Sequence, residues 1–187
     1  MTELALLNRQ RTRPVNSLLL RRVTNVLLTD LLSLERCELA IHLVAAPEMA
    51  RINQQFLNHA GSTDVITFDY TAEEQLHGEI FICIDDAVKQ ARQFRATWQS
   101  ELVRYLIHGV LHLIGYDDLT AAGRRAMKRE ENRLLRKLSI QFSLRHLAND
   151  GPLPAGKSRS THRQSTIATR TACVSLSKPA RATKVRS

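Results

Sequence analysis

The chain has 187 residues, with 27 Lys and Arg against 18 Asp and Glu, which gives a formal net charge of +9. The charge is uneven: residues 1–144 carry 18 basic and 17 acidic side chains, whereas residues 145–187 carry nine basic residues and one acid. Apolar runs fall far short of the ~20 residues that span a bilayer, and the N-terminus lacks the pattern of a secretory signal. We therefore expect a cytoplasmic protein without a membrane partner, with a near-neutral domain at 1–144 and a basic tail at 145–187.

The three cysteines, Cys37, Cys83 and Cys173, are widely spaced and form no CxxC pair. Cys37 and Cys83 lie in apolar runs, a context typical of small buried residues. An odd number of unpaired thiols favours a reducing compartment over a disulfide framework.

The first half of the body alternates strand and helix patterns. Residues 4–8 form a short apolar run that suits an opening strand, and Pro14 precedes a helical stripe of apolar residues over 15–32. The β-rich segment 37–45 predicts a second strand. Pro47 then begins a second helix, which ends near Phe56.

The second half predicts a pair of strands followed by three helices. Segments 63–70 and 78–84 are expected to be neighbouring antiparallel strands joined by a polar loop. Helical patterns follow at residues 85–94, 100–114 and 120–139. The element order predicts one α+β (mixed α/β) domain, in which about five helices cover a mixed sheet of about four strands.

The basic tail has too few apolar residues to offset the entropy cost of ordering, so we expect it to be disordered. Its basic residues either neutralise RNA phosphates without sequence preference or form a solvated extension with no specific partner. The charged final helix at 120–139 is interpreted as an ordinary solvated face rather than a nucleic-acid patch. Its charged side chains include Arg124, Arg125, Lys128 and Arg129 near Glu130 and Glu131.

Two histidines, His108 and His112, are four residues apart in the apolar helix at 100–114. This spacing places both imidazoles on one helix face, where two nitrogens can bind a single metal ion. Gly115 is expected to end the helix in a left-handed cap, so that the chain reverses and Asp118 approaches the same ion. Three protein ligands and an open fourth position are typical of a catalytic zinc site. The alternative, a pair of hydrogen-bonded core histidines, does not explain the added glycine and carboxylate.

The residue after the first histidine limits the reaction class. Zinc peptidases of the HExxH type have a glutamate there as general base. Gly109 takes this position, which disfavours a metallopeptidase. The carboxylates left to supply a catalytic base or orienting group are Asp64, Glu79 and Asp117, although Asp64 also suits a turn cap and Glu79 an exposed strand position.

Residues 108–118 (HGVLHLIGYDD) resemble the HGxLHLxGYDH signature of the YbeY endoribonucleases, the rRNA maturation factors. The segments STDVITF (62–68) and GEIFI (78–82) are similar to that family's PTDVLSF and GDI-type segments, and the resemblance covers about residues 1–140. It implies a single-strand-specific endoribonuclease that binds one Zn²⁺ ion. It also implies a role in 16S rRNA 3′ end processing and ribosome quality control, with the small ribosomal subunit as partner.

Two positions depart from the family pattern. The family's third metal-binding histidine falls on Asp118, which is also a good zinc ligand, at about 2.0–2.2 Å. Its negative charge is expected to make a bound water less acidic and to make oxygen-preferring ions more competitive. The arginine that usually precedes the TDV segment is replaced by Leu57, which removes a natural phosphate partner. His59 or the tail arginines are the candidates to replace it.

These features predict a zinc-dependent endoribonuclease in which His108, His112 and Asp118 bind the ion. The alternative from a different class is a ribosome-associated RNA-binding or assembly factor with a structural metal and little nuclease activity. Cleavage of single-stranded RNA that a chelator abolishes and zinc restores distinguishes the two.

Overall fold

The computed structural model describes residues 2–72 and 75–148 and, for the backbone, residues 181–184. The helices are α1 (Ser17–Asn25), α2 (Ala46–Leu57), α3 (Ile84–Gln93), α4 (Trp98–Leu113) and α5 (Ala121–Gln141). The strands are β1 (Thr2–Asn8), β2 (Cys37–Val44), β3 (Val65–Asp69), β4 (Leu76–Cys83) and β5 (Arg181–Lys184). No helix within these ranges is long and apolar enough to cross a membrane.

The strands form one mixed sheet in the order β1-β2-β4-β3-β5. Strands β1, β2 and β4 are parallel, whereas β3 is antiparallel to both β4 and β5. The predicted α+β class, the mixed sheet and the antiparallel pairing of β3 with β4 are confirmed. The sheet has one strand more than expected, because β5 comes from the tail that was predicted to be disordered.

The packed part of the chain continues beyond the predicted boundary at residue 144. A 3₁₀ turn at Leu144–Leu147 follows α5, and Leu147 is fully buried. The apolar side chains of this turn join the main core, so the turn packs with the body. Other tail residues, including Cys173, lie outside the described part of the chain, and the division at residue 144 stays a prediction.

The first helix is shorter than its apolar stripe predicted. It begins at Ser17, because the Asn16 side chain accepts the Leu19 N–H at 3.0 Å and caps the helix. After Asn25 the chain continues as a π-helical segment at Val26–Leu31. The prediction that the helix begins at residue 15, directly after Pro14, is therefore wrong, because the side-chain cap sets the first turn.

The larger hydrophobic core lies on the sheet face that α4 covers. Leu106 and Val110 of α4 are fully buried, as are Ile80 and Ile82 of β4. Gly109 allows the close approach, because a Cβ there would lie 2.8 Å from Ile80 Cγ2. The strongly apolar helix predicted at 100–114 is confirmed as the central helix of the fold.

A smaller hydrophobic cluster lies on the opposite face of the sheet, beneath α2. Its buried members include Met49, Phe68 and Cys83, and Leu57 at the end of α2 packs against it. Cys37 and Cys83 are buried free thiols, as their sequence context predicted. Burial raises the pKa of Cys37 to about 11 and that of Cys83 to about 12.

Candidate metal centre

The C-terminal end of α4 reverses the chain just after the two histidines. Gly115 has a φ of 93°, a left-handed conformation without steric cost for glycine. Its N–H donates to the His112 carbonyl at 3.0 Å, and the Tyr116 N–H donates to the Leu111 carbonyl at 3.0 Å. These bonds form a Schellman motif, which satisfies the last helical carbonyls. The left-handed cap predicted at Gly115 is confirmed.

The loop between α4 and α5 is held by the first turns of α5. Arg124 Nη1 donates to the carbonyls of Asp118 and Leu119, each at 3.0 Å. The Asp117 carboxylate accepts the Leu119 N–H at 2.7 Å. Gly123 lies so close to the loop that a Cβ there would be 2.2 Å from the Asp117 carbonyl oxygen. The position of Asp118 therefore depends on α5 as well as on the turn after α4.

Within the described residues, one group of three side chains has the arrangement of a metal site. It consists of His108, His112 and Asp118, whose potential ligand atoms all lie within 4.8 Å of one another. All three side chains are partly buried. The structure thus brings together the three residues that the sequence predicted as metal ligands.

The hydrogen bonds of the two imidazoles test whether a metal fits. His112 Nδ1–H donates to the Tyr116 carbonyl at 3.1 Å, and His108 Nδ1–H donates to the Glu131 carboxylate. With both Nδ1 atoms protonated, each imidazole keeps the lone pair of its Nε2 atom for a metal. The two Nε2 atoms are 3.2 Å apart. Two Zn–N bonds of about 2.0–2.1 Å at the tetrahedral angle would separate the nitrogens by about 3.3 Å. The donor set therefore fits a zinc-sized ion.

Glu131 on α5 orients His108 from the side away from the other ligands. It is 5% exposed, and besides His108 it lies 3.6 Å from Arg104 Nη1 and 3.8 Å from Lys128 Nζ. A carboxylate that accepts the Nδ1–H of a ligating histidine fixes its tautomer and ring orientation. Glu131 thus occupies the outer position of a carboxylate–histidine–metal arrangement.

The electrostatics of the cluster favour an ionised Glu131 and a neutral His112 imidazole. Burial alone would raise the pKa of Glu131, but the hydrogen bond from His108 and the neighbouring positive charges outweigh burial and lower it. Burial lowers the pKa of His112, His108 lowers it further, and Asp118 opposes both. Because the neutral imidazole is the form that binds a metal, this environment keeps His112 ready to coordinate.

His108 and Asp118 also line a cleft of about 790 Å³ between α3, α4 and α5. Asp64, just before β3, lines the same cleft and is 5% exposed. Its carboxylate accepts hydrogen bonds from Thr63 Oγ1 and the Val65 N–H, each at 3.0 Å. Burial raises the pKa of Asp64, although these hydrogen bonds partly offset the effect. Asp64 is therefore the predicted carboxylate that the structure places beside the ligand cluster.

The other two predicted carboxylates are placed differently. Gly78 and Ile80 face α4, so Glu79 between them points to the opposite face of the sheet. There it lies 3.0 Å from His42 Nε2, and this close contact lowers the pKa of Glu79. Asp117 is exposed and holds the loop after α4. The structure does not bring Glu79 to the ligand cluster.

Leu57 stands where the family usually has an arginine, and its surroundings are apolar too. Leu57 packs against the smaller hydrophobic cluster on the α2 face of the sheet. His59 is exposed in the loop after α2 and does not line the cleft. Neither residue supplies a positive charge to the cleft.

Glu131 is the residue of this centre that the sequence analysis missed. Its helix was interpreted as solvated, and for Glu131 this is wrong, because it lies on the stripe that buries Met127, Leu134 and Leu138. The spacings of four, three and four residues along this stripe were visible in the sequence. A charge on an apolar stripe at helical spacing is a signal for a buried partner.

Comparisons with known proteins give consistent similarities. A family profile described as Endoribonuclease YbeY matches residues 6–139. The relative of that name from Flavobacterium psychrophilum is 40% identical over 93 residues, which cover 50% of this chain and 66% of the relative. The one from Chlorobium phaeovibrioides is 41% identical over 95 residues, or 51% and 64% of the two chains. The chain thus spans just under two thirds of the length of these relatives.

Among solved structures, the solution structure of a Thermotoga maritima protein is similar, with a TM-score of 0.59 and 26% sequence identity. The match covers 82% of this chain and 100% of the other. The similarity in fold therefore extends over the whole length of that protein.

Proposed function

Because this chain belongs to the endoribonuclease YbeY family, we propose that it is a metal-dependent endoribonuclease that cleaves single-stranded RNA. The observation that carries this proposal is the facing pair of Nε2 atoms on His108 and His112, 3.2 Å apart, beside Asp118 and an open cleft. An ion held there is bordered by space for a substrate, as catalytic sites require.

A bound divalent ion would supply Lewis-acid chemistry, by activating a water or polarising a phosphoryl oxygen. The chain's own residues prepare this chemistry. Glu131 and the Tyr116 carbonyl orient the two imidazoles, and Arg124 holds the loop that carries Asp118. Asp64 is the carboxylate placed in the same cleft to orient the attacking water. Asp117 contributes by shaping the loop, and Glu79 takes no part.

We assign one Zn²⁺ ion to the centre, held by His108, His112 and Asp118. Two imidazoles and one carboxylate form a ligand set known from catalytic zinc sites. With Asp118 as an anionic ligand, the site is expected to accept oxygen-preferring ions more readily than one with three histidines.

Family membership also supports the finer assignment. By it, the substrate is rRNA, the reaction is maturation of the 16S rRNA 3′ end, and the protein works with the small ribosomal subunit in ribosome quality control. A cytoplasmic location follows from the same assignment and stays a prediction.

The assignment is tested by His112→Ala, with His146→Ala as the matched control, because His146 is exposed and outside the cluster. We expect His112→Ala to lose its zinc and to cleave single-stranded RNA at least about 100-fold more slowly, since a bound ion lowers the barrier by several kcal/mol. Elemental analysis and a chelator-controlled cleavage assay on purified protein measure both effects.

The outcomes separate the alternatives. Full zinc content and full cleavage by His112→Ala would contradict the proposed centre. Zinc binding by the natural protein without any cleavage of RNA would favour the ribosome-associated factor with a structural metal.

A further inference from the structure

The cleft beside the ligand cluster has an exposed aromatic side chain at its α3 end. Phe94 caps α3, lines the cleft and is 62% exposed. Its ring stacks on no other ring among the described residues. The next residue, Arg95, has a φ of 54° and turns the chain toward α4. Core packing does not explain a phenylalanine at this position.

The α5 wall of the same cleft has basic side chains that are available to a ligand. Arg125 is exposed and has no ion pair or hydrogen bond among the residues that the structure describes. The Lys128 side chain is 63% exposed, and its contact with Glu131 is a long one of 3.8 Å. Arg104, in contrast, is engaged by Glu101, Glu131 and Asn132. Arg124 also lines the cleft, but it donates to the carbonyls of Asp118 and Leu119. Arg125 and Lys128 are therefore the cations of the cleft that can contact phosphates.

The acidic side chains of the cleft do not cancel these cations. Glu131 is occupied by His108, Asp118 belongs to the candidate ligands, and Asp64 is buried and accepts two hydrogen bonds. Glu101, the fourth acid that lines the cleft, is buried and pairs with Arg104. A divalent ion would add further positive charge. An unstacked aromatic ring together with two exposed cations fits a ligand that alternates flat bases with phosphates, which is a single strand of RNA.

We propose that one RNA strand runs through the cleft between α3 and α5, with a base stacked on Phe94 and its phosphates held by Arg125 and Lys128. The proposal rests on the proposed function and deepens it by naming the origin of single-strand preference. In a duplex the base faces are already stacked on neighbouring bases and unavailable to Phe94. With Leu57 packed into the apolar cluster, phosphate binding passes to α5.

The stacking role is tested with the metal-loaded full chain and a fluorescent oligouridine of roughly 12 nucleotides whose backbone is modified to resist cleavage. We expect Phe94→Ala to bind this probe roughly 10-fold more weakly and Phe94→Trp to retain binding. An abasic oligonucleotide of the same length should bind Phe94→Ala and the natural chain equally. Phe56→Ala is the control, because Phe56 is 51% exposed on α2 and does not line the cleft.

The phosphate contacts are tested by the salt dependence of binding. In a double variant, Arg125→Gln with Lys128→Gln, the negative slope of log affinity against log salt should become shallower by about 1.4, since each single-strand phosphate contact contributes about 0.7. Arg136→Gln and Lys137→Gln together are the control, because both residues are exposed on α5 outside the cleft.

The results distinguish this inference from the proposed function. The stacking role would be overturned if Phe94→Ala binds oligouridine as tightly as Phe56→Ala does. It would also be overturned if Phe94→Ala loses as much affinity for the abasic probe as for oligouridine. Either result would count against stacking even if the natural chain cleaves RNA. If Phe94→Ala loses affinity only for the probe that carries bases, and the natural chain cleaves no RNA, the RNA path through the cleft would be supported and the proposed nuclease activity would be contradicted.

Discussion

Glu131 occupies a core-facing position of α5, in the stripe that Met127, Leu134 and Leu138 bury. A lone buried carboxylate costs several kcal/mol, so its charge must be compensated. His108, Arg104 and Lys128 provide that compensation. The same contact directs His108 Nε2 toward His112, so a residue that stabilises the packing of α5 also prepares the candidate metal centre.

The positioning role of Glu131 is checked with Glu131→Gln. The amide keeps the size of the side chain but is a weaker acceptor for His108 Nδ1–H, so we expect zinc affinity to fall about 10- to 100-fold. Competition with a chromophoric chelator measures the affinity, and nitrogen NMR of the His108 ring reports the tautomer. Glu130→Gln is the control, because Glu130 pairs with Arg133 instead. Unchanged affinity and an unchanged tautomer in Glu131→Gln would contradict the role.

At the scale of elements, α4 lies against β4 through Gly109, so its ligands project to the cleft while its glycine faces the sheet. The Cβ of any residue at 109 would lie 2.8 Å from Ile80 Cγ2 and 3.3 Å from Val65 Cγ1. This packing explains why the position after the first histidine has no room for a glutamate. The missing base of a metallopeptidase thus follows from how helix and sheet pack.

We expect Gly109→Ala to destabilise the fold by up to about 2 kcal/mol. The overpacking cost of about 1–3 kcal/mol exceeds the helix-propensity gain of about 1 kcal/mol for alanine over glycine. Urea unfolding measures the change. Combining it with Ile80→Ala, which removes the crowding methyl groups, should cost less than the sum of the two single changes. Additive costs would show that the contact with Ile80 is not the cause.

At the scale of the whole molecule, the sheet separates two groups of side chains that the sequence pattern assigned to one site. The candidate metal centre lies on the α4 side, whereas Glu79 belongs to a polar cluster on the α2 side. There Arg9 Nη2 donates to His42 Nδ1 at 3.0 Å, and His42 stacks on Phe81 with ring centroids 4.3 Å apart. Glu79 lies 3.0 Å from the other ring nitrogen of His42. We expect these contacts of Glu79 to stabilise this face of the fold.

The role of Glu79 predicts a pH dependence of stability. The close contact with His42 lowers the pKa of Glu79 below its ordinary value of 4.5. The ionised carboxylate therefore stabilises the fold above about pH 4.5, and this stabilisation is lost as the pH falls through the lower pKa of the folded state. We expect Glu79→Gln to be less stable than the natural chain near neutral pH, with the difference shrinking on acidification.

Denaturant unfolding at a series of pH values measures this difference. Glu38→Gln is the control, because Glu38 and His77 form an exposed pair at 3.8 Å, and such pairs contribute little to stability. A stability difference for Glu79→Gln that stays constant down to about pH 3 would contradict the contact with His42.

Residue spacing alone was enough to predict the local half of the candidate centre. Positions four apart on a helix share one face, so His108 and His112 were paired before any tertiary contact was known. Gly115 was recognised as a left-handed cap because few other residues adopt that conformation without strain. The short polar loop between β3 and β4 likewise predicted their pairing, because strands that follow each other closely in sequence usually lie side by side in the sheet.

Contacts between distant segments needed the folded chain. Glu131 lies 23 residues after His108, and its role depends on how α5 crosses α4. The separation of Asp64 from Glu79 depends on which face of the sheet each side chain points to, and the edge strand β5 depends on pairing across most of the chain. Periodicity indicates that a residue is buried, but its partner is selected by packing between elements, which no local pattern records.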